Sequence, residues 1–177
     1  MPFSFFRALF QALCAGALLG GGARLEDSVA ATPFLEFKPL APGDLPLATA
    51  IAENERRDDP DGESFGLDRL PGAHDRRRVW GLWIKGALSG AVWVESARPD
   101  SVRVPALALG RGWRDMGLVA WMLSDLAETL RAEGVRHIRV DLAGGGRRLG
   151  EGLTRAGFVG PDEALESYPA GSWLLGI

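Results

Sequence analysis

The residues best suited to chemistry lie in a turn between a short apolar run and a long stretch of helical periodicity. Arg114 and Gly117 occupy this turn, and apolar residues recur at helical spacing from Val119 to Leu130. The first turn of a helix presents backbone N–H groups that lack helical partners, together with the positive end of the helix dipole. Such a turn is suited to bind anions, and phosphates in particular. Arg114 adds positive charge, and Gly117 lets the backbone approach a ligand closely.

The elements that must position this turn are a strand before it and a helix after it. Leu107, Ala108 and Leu109 end the apolar run, and Gly110 breaks it. Apolar residues three and four positions apart predict one buried helix face, and Gly134 is a typical C-terminal stop. The residues of that face are Val119, Met122, Leu123, Leu126, Ala127 and Leu130.

Residues 114–119, with the sequence RDMGLV, carry a resemblance to a known family. They resemble the Q/R-x-x-G-x-G/A signature of the GCN5-related N-acetyltransferases (GNAT), with Val119 where the family has a small residue. The resemblance implies that the turn holds the pyrophosphate of acetyl-coenzyme A, and that Leu107, Ala108 and Leu109 hold the pantetheine arm by backbone hydrogen bonds. The implied pyrophosphate residues are Arg114, Asp115, Met116, Gly117, Leu118 and Val119.

The order of strands and helices also resembles this family. The resemblance implies an α/β (α+β) fold with a mixed central sheet of about six or seven strands, splayed between strands 4 and 5, and about four flanking helices. Pro105 agrees, because a proline inside a strand lacks a ladder donor and predicts a bulge or a splayed edge. The first helix is predicted from Leu45 to Glu55, with Leu47, Ala48 and Ile51 facing inward.

Composition is that of an ordinary globular chain. It has 177 residues, 24% of them charged, and a formal net charge of −3, so no basic excess indicates nucleic acid. The single cysteine, Cys14, excludes an internal disulfide framework and a Cys-based zinc site. His74 and His137 stand far apart without a ligand pattern, so no metal site is predicted.

Residues 1–32 are predicted to be an N-terminal apolar segment with a linker, and residues 33–177 to be the GNAT-like domain. The segment 3–19 is open to several interpretations: a signal peptide, a helix that packs on the domain or a partner, a helix that lies on a membrane, or an over-long gene model. A need for acetyl-coenzyme A favours the cytoplasm, with membrane association or export as the alternative. A homodimer is also left open.

The resemblance implies that the chain between the first helix and the second strand forms one wall of the acceptor cleft. Its acidic residues would favour a cationic amine, on a small molecule or a protein, although nearby arginines offset their charge. These acidic residues are Glu53, Glu55, Asp58, Asp59, Asp61 and Glu63, and the arginines are Arg56, Arg57, Arg76, Arg77 and Arg78.

The catalytic inventory is thin. Acetyl transfer requires a group that deprotonates the ammonium, and Glu95, at the end of the third strand, is the predicted general base. A solvated strand end is the alternative role for Glu95. The family's frequent tyrosine acid, four residues before Gly157, is Leu153 here. Two functions therefore stay open: an acetyl-coenzyme A-dependent N-acetyltransferase with direct transfer to an amine, or a weakly active or inactive acyl-coenzyme A sensor or interaction module.

Overall fold

Strands and helices follow one another along the chain in the predicted order. The computed structural model describes residues 34–58, 66, 77–113, 116–141, 147–160 and 172–177. The predicted N-terminal segment, and Arg114 and Asp115 of the turn predicted to bind phosphate, lie outside the described residues. The elements are β1 (Leu35–Pro39), α1 (Leu45–Asp58), β2 (Arg77–Ile84), β3 (Ala87–Arg98), β4 (Ser101–Leu109), α2 (Leu118–Ala132), β5 (His137–Asp141), α3 (Arg147–Arg155) and β6 (Ser172–Gly176).

The six strands form one mixed sheet in the order β1-β2-β3-β4-β5-β6. Every neighbouring pair is antiparallel except β4 and β5, which run parallel and are connected through α2. A parallel pair needs such a crossover, whereas the antiparallel strands β2 and β3 are joined by a two-residue turn at Lys85 and Gly86. The predicted fold class is therefore confirmed, with three helices in the part of the chain that is described.

A bulge interrupts β4 at Pro105, as the sequence predicts. Trp93 pairs with Ala106, and the next pair joins Glu95 to Arg103, so one residue of β3 lies opposite two residues of β4. The extra residue reverses the alternation of side chains along β4. Val102 and Val104 face the main core before the bulge, and the odd-numbered Leu107 and Leu109 face it afterwards.

Among the described residues, the pairing of β4 with β5 ends at this bulge. β5 pairs with β4 from Ser101 to Val104, whereas β4 continues to Leu109. The last described pair is Val104 with Val140. The predicted splay between strands 4 and 5 thus begins at Pro105.

Each face of the sheet packs against a helix. The main core joins the predicted apolar face of α2 to one side of the sheet, and all six of its predicted residues are buried. On the other side, α1 packs through Ala48 and Ala52 against Ala91, Ala106 and Ala108. These small side chains bring α1 close to β3 and β4. The inward face predicted for this helix was partly wrong, because Leu47 is 53% exposed. No helix among the described residues is long and apolar enough to span a membrane.

Candidate functional site

The chain that joins β4 to α2 is held at its start by two elements. The N–H of Gly110 donates to the carbonyl of Ser89 at 2.8 Å, and a short 3-10 turn follows over Arg111–Trp113. Oε1 of Glu55, on α1, accepts a hydrogen bond from the N–H of Arg111 at 3.0 Å. Glu55 is only 4% exposed, so this carboxylate belongs to the interior and not to the acidic cleft wall that its sequence position predicts.

The N-terminus of α2 lies at the end of this connection. Gly117 is the N-cap and has a φ of 71°, which is the left-handed region that favours glycine. The first N–H of the helix with a helical acceptor is that of Trp121, which donates to the Gly117 carbonyl at 3.2 Å. The backbone N–H groups of Leu118, Val119 and Ala120 therefore have no acceptor within the helix.

Within the part of the chain that the structure describes, no atom crowds Gly117 at this helix end. A Cβ added at Gly117 would meet no heavy atom within 4 Å, and Met116 beside it is 44% exposed. The side chains of Leu118 and Val119 instead turn into the main core, where they are 2% and 4% exposed. Val119, which replaces the small residue of the resembled signature, therefore places its bulk away from the approach to the helix end.

The direction of the β4 backbone beyond the bulge follows from its register with β3. Because Gly110 donates to Ser89, the antiparallel alternation directs the N–H and C=O groups of Ala108 and Ala106 toward β3 as well. The backbone groups of Leu107 and Leu109 are then directed away from β3, toward the side where pairing with β5 ends at Val104.

Glu95, the predicted base, lies on β3 next to the bulge. Its side chain is 20% exposed, and its Oε2 lies 3.5 Å from Nη1 of Arg103 on β4. It is thus an ion-paired carboxylate within β3, which continues to Arg98, and this differs from the solvated strand end considered as its alternative role.

The position of the family's tyrosine is occupied by a core residue. Leu153, on α3, is fully buried in the main core. Tyr168 lies outside the described residues. No group of three or more His, Cys, Asp or Glu side chains that could hold a metal ion occurs in the described part of the chain.

Two contributors to the site are not indicated by the sequence. Glu55 is one, since nothing in its helical position predicts a bond to Arg111. The other is Gly66, whose φ is 68° and where an added Cβ would lie 1.9 Å from the Pro105 carbonyl oxygen. Gly66 therefore lies directly against the β4 bulge, where only glycine fits. The sequence alone does not distinguish a glycine in open surroundings from one that is packed against a strand.

Comparison with known proteins gives a consistent structural result. No family model and no curated protein matches the chain. Among solved structures, the GNAT domain of S. lividans PAT is 15% identical, with 81% of this chain and 90% of that chain covered and a TM-score of 0.59. An acetyltransferase from Thermus thermophilus is 17% identical, with 81% and 97% covered and a TM-score of 0.61.

A third similar structure contains coenzyme A. RimL, a ribosomal L7/L12 alpha-N-protein acetyltransferase solved in complex with coenzyme A, is 10% identical, with 84% of this chain and 97% of that chain covered and a TM-score of 0.61. At these identities the likeness establishes the fold, which is that of the GNAT acetyltransferases.

Proposed function

We propose that this chain, which has the GNAT fold, is an acetyl-coenzyme A-dependent N-acetyltransferase that transfers an acetyl group directly to an amine. The observation that carries the proposal is the conjunction of two features at one opening in the sheet. The exposed N-terminus of α2 offers amide donors for a diphosphate, and β4 directs the backbone of Leu107 into the space where β5 no longer pairs with it.

The residues present fit coenzyme A at this opening. The amides of Gly117, Leu118 and Val119 would hold the pyrophosphate, together with Arg114, Asp115 and Met116 of the turn. Open space in front of Gly117 leaves room for phosphate oxygens. Leu107 and Leu109 would hold the pantetheine arm by backbone hydrogen bonds, whereas Ala108 directs its backbone toward β3 and would contribute through its position between them.

Bound coenzyme A would supply the acetyl group as an activated thioester, and the chain would provide orientation and proton transfer. Holding the two reactants side by side can itself lower the barrier by about 7–11 kcal/mol. Glu95 would accept the proton of the acceptor ammonium, directly or through water, and Arg103 would keep its carboxylate in place at the base of the opening. The departing thiolate would take its proton from solvent, because Leu153 offers none.

One observation favours a second candidate function. The buried Leu153 removes the position from which the family frequently donates a proton. A chain that binds acyl-coenzyme A but transfers it slowly or not at all would act as a sensor or an interaction module. It would share the binding residues of the first candidate and differ only in turnover.

Two measurements on the full chain test the proposal. At about 100 times its Kd, coenzyme A should stabilise the protein by about 2.7 kcal/mol, which raises Tm by roughly 5 to 10 °C. Acetyl-coenzyme A with a panel of amines should release free thiol at a rate that depends on the amine. Stabilisation by coenzyme A without thiol release favours the sensor. If coenzyme A neither stabilises the protein nor supports thiol release, both candidate functions are contradicted.

A further inference from the structure

We infer that residues 3–19 form a helix that packs on an aromatic patch within the same chain. The aromatic patch consists of the rings of Phe37, Trp80 and Trp121. It lies on the face of the sheet that α2 covers, where β1 forms the edge of the sheet. This docking does not depend on the proposed function.

Three rings from three elements meet in the aromatic patch. Phe37 of β1 stacks on Trp80 of β2, with ring centroids 5.7 Å apart and an interplanar angle of 30°. Trp121 of α2 contacts Phe37 in an edge-on arrangement, with ring centroids 6.0 Å apart. The patch therefore joins the edge of the sheet to the start of α2.

Two of the three rings reach the surface of the protein. Trp80 is 4% exposed, whereas Phe37 and Trp121 are half-buried and pack against the main core. The indole N–H of Trp80 is buried and has no hydrogen-bond acceptor among the described residues. Buried polar groups are usually paired, and apolar groups that stay together at a surface often mark a contact with a further partner. Both observations indicate that another segment or molecule packs on the patch.

The chain that precedes β1 enters the fold beside this patch. Phe34 is three positions before Phe37, and its carbonyl accepts a hydrogen bond from the N–H of Lys85 at 2.9 Å. The connection 20–33 can extend over at most about 46 Å, and a helix of residues 3–19 is about 25 Å long. The segment can therefore reach the patch. Attachment to the same chain gives it an effective concentration on the order of millimolar.

The sequence of the segment fits an aromatic surface better than it fits a membrane. Phe3, Phe6 and Phe10 recur at helical spacing, so a helix would place them on one face. A helix that lies on a membrane usually carries a strongly charged polar face, whereas Arg7 is the only charged residue of the segment. The apolar run 8–19 is too short to span a bilayer. We therefore expect the phenylalanine face to be buried against the aromatic patch.

The single cysteine of the chain, Cys14, allows a direct test. In a helix it lies one turn after Phe10, at the border of the phenylalanine face. The thiol of the full chain is labelled with a benzophenone maleimide and illuminated, and the cross-linked peptides are identified by mass spectrometry. We expect cross-links to β1 and to the first turns of α2, within one chain.

A pair of neighbouring phenylalanines provides the variant and its matched control. Phe6→Asp places a charge in the proposed contact, so it should lose most of these cross-links and lower the Tm. Phe5→Asp makes the same chemical change on another side of the helix, because adjacent residues do not share a helix face. It should keep both the cross-links and the parent Tm.

The other possible occupants of the patch and targets of the segment give distinct results. Mixing isotope-labelled and unlabelled chains shows whether the cross-links join two copies instead of forming within one. Cosedimentation with vesicles of phosphatidylcholine and phosphatidylserine shows whether the segment binds a membrane. Cross-links only between copies, or vesicle binding that Phe6→Asp abolishes without any cross-link to β1 or α2, would overturn the inference. Cross-links that Phe6→Asp leaves unchanged would do the same.

Discussion

At the scale of single residues, Glu95 is the group on which the proposed proton transfer depends. A carboxylate base works only when it is ionised, so acidification should lower the rate. Glu95→Gln keeps the size of the side chain and removes the base. We expect it to lower kcat by about 10²–10⁴-fold, with little change in coenzyme A affinity.

The measurement is the pH dependence of thiol release, with coenzyme A affinity determined by calorimetry. Glu128→Gln, at an exposed residue of α2, controls for the loss of one negative charge. A Glu95→Gln protein with the parent rate at every pH would remove Glu95 from the mechanism.

Gly117 tests the anion site at the N-terminus of α2. Gly117→Glu places bulk and a negative charge where the diphosphate is proposed to bind, and should abolish coenzyme A binding. Because φ is 71° there, any side chain also strains the backbone, by about 1–2 kcal/mol. Gly117→Gln carries the same shape and the same strain without the charge, so it should retain weak binding. Parent affinity in Gly117→Glu, measured by calorimetry, would contradict the assignment of the site.

At the scale of elements, the contact between α1 and the β4–α2 connection is the least expected part of the site. The Glu55 carboxylate bonds the Arg111 N–H from inside the protein. Glu55→Ala should lower the free energy of unfolding by about 1.5–3 kcal/mol, the usual worth of a hydrogen bond to a charged group. It should also weaken coenzyme A binding, since the proposed phosphate-binding turn would lose the hydrogen bond that holds its start.

Chemical denaturation and calorimetry check this prediction. Glu53→Ala is the matched control, because Glu53 is an exposed residue of the same helix. Equal stability of the Glu55→Ala and Glu53→Ala proteins would show that the Glu55 bond contributes nothing.

The passage of Gly66 over the β4 bulge makes a second prediction at this scale. In Gly66→Ala the new Cβ would collide with the Pro105 carbonyl, and the left-handed φ adds backbone strain of about 1 kcal/mol or more. We expect a lower Tm and a higher KM for the acceptor, because residue 66 must move away from the Pro105 carbonyl beside the opening. In Gly43→Ala, where an added Cβ meets nothing within 4 Å, Tm should be unchanged. Parent behaviour of Gly66→Ala would mean that this connection does not lie on the bulge.

The sequence indicates these elements to different degrees. The helix α2, its buried face and the break at Pro105 are predictable, because periodicity and a missing ladder donor are local properties. The length of the turn between β2 and β3 is not predictable in this way. Its two residues connect the strands because Lys85 adopts a positive φ of 52°. The hydrogen bond between Arg111 and Glu55 and the contact between Gly66 and Pro105 each join residues that are distant in sequence. No local sequence pattern therefore predicts them.

Glu95 illustrates the same limit within the site. The sequence indicates that Glu95 belongs to the third strand but ends that strand too early, since β3 continues to Arg98. Its partner Arg103 follows from a register that the bulge shifts by one residue.

At the scale of the whole molecule, the bulged β4, its separation from β5 and the exposed end of α2 create one opening in an otherwise continuous sheet. Each face of the sheet is covered by a helix, so we expect a long, narrow cosubstrate to contact the backbone at this opening. The N-terminal segment 3–19 lies outside the described residues, and its proposed role in contact with a membrane or a partner stays a prediction.

A crystal structure of the chain with coenzyme A tests the central claim most directly. The account predicts the diphosphate within hydrogen-bond distance of the amides at Gly117–Val119, and the pantetheine arm along Leu107 and Leu109. Coenzyme A bound elsewhere, or a helix end covered by side chains at saturating coenzyme A, would contradict it.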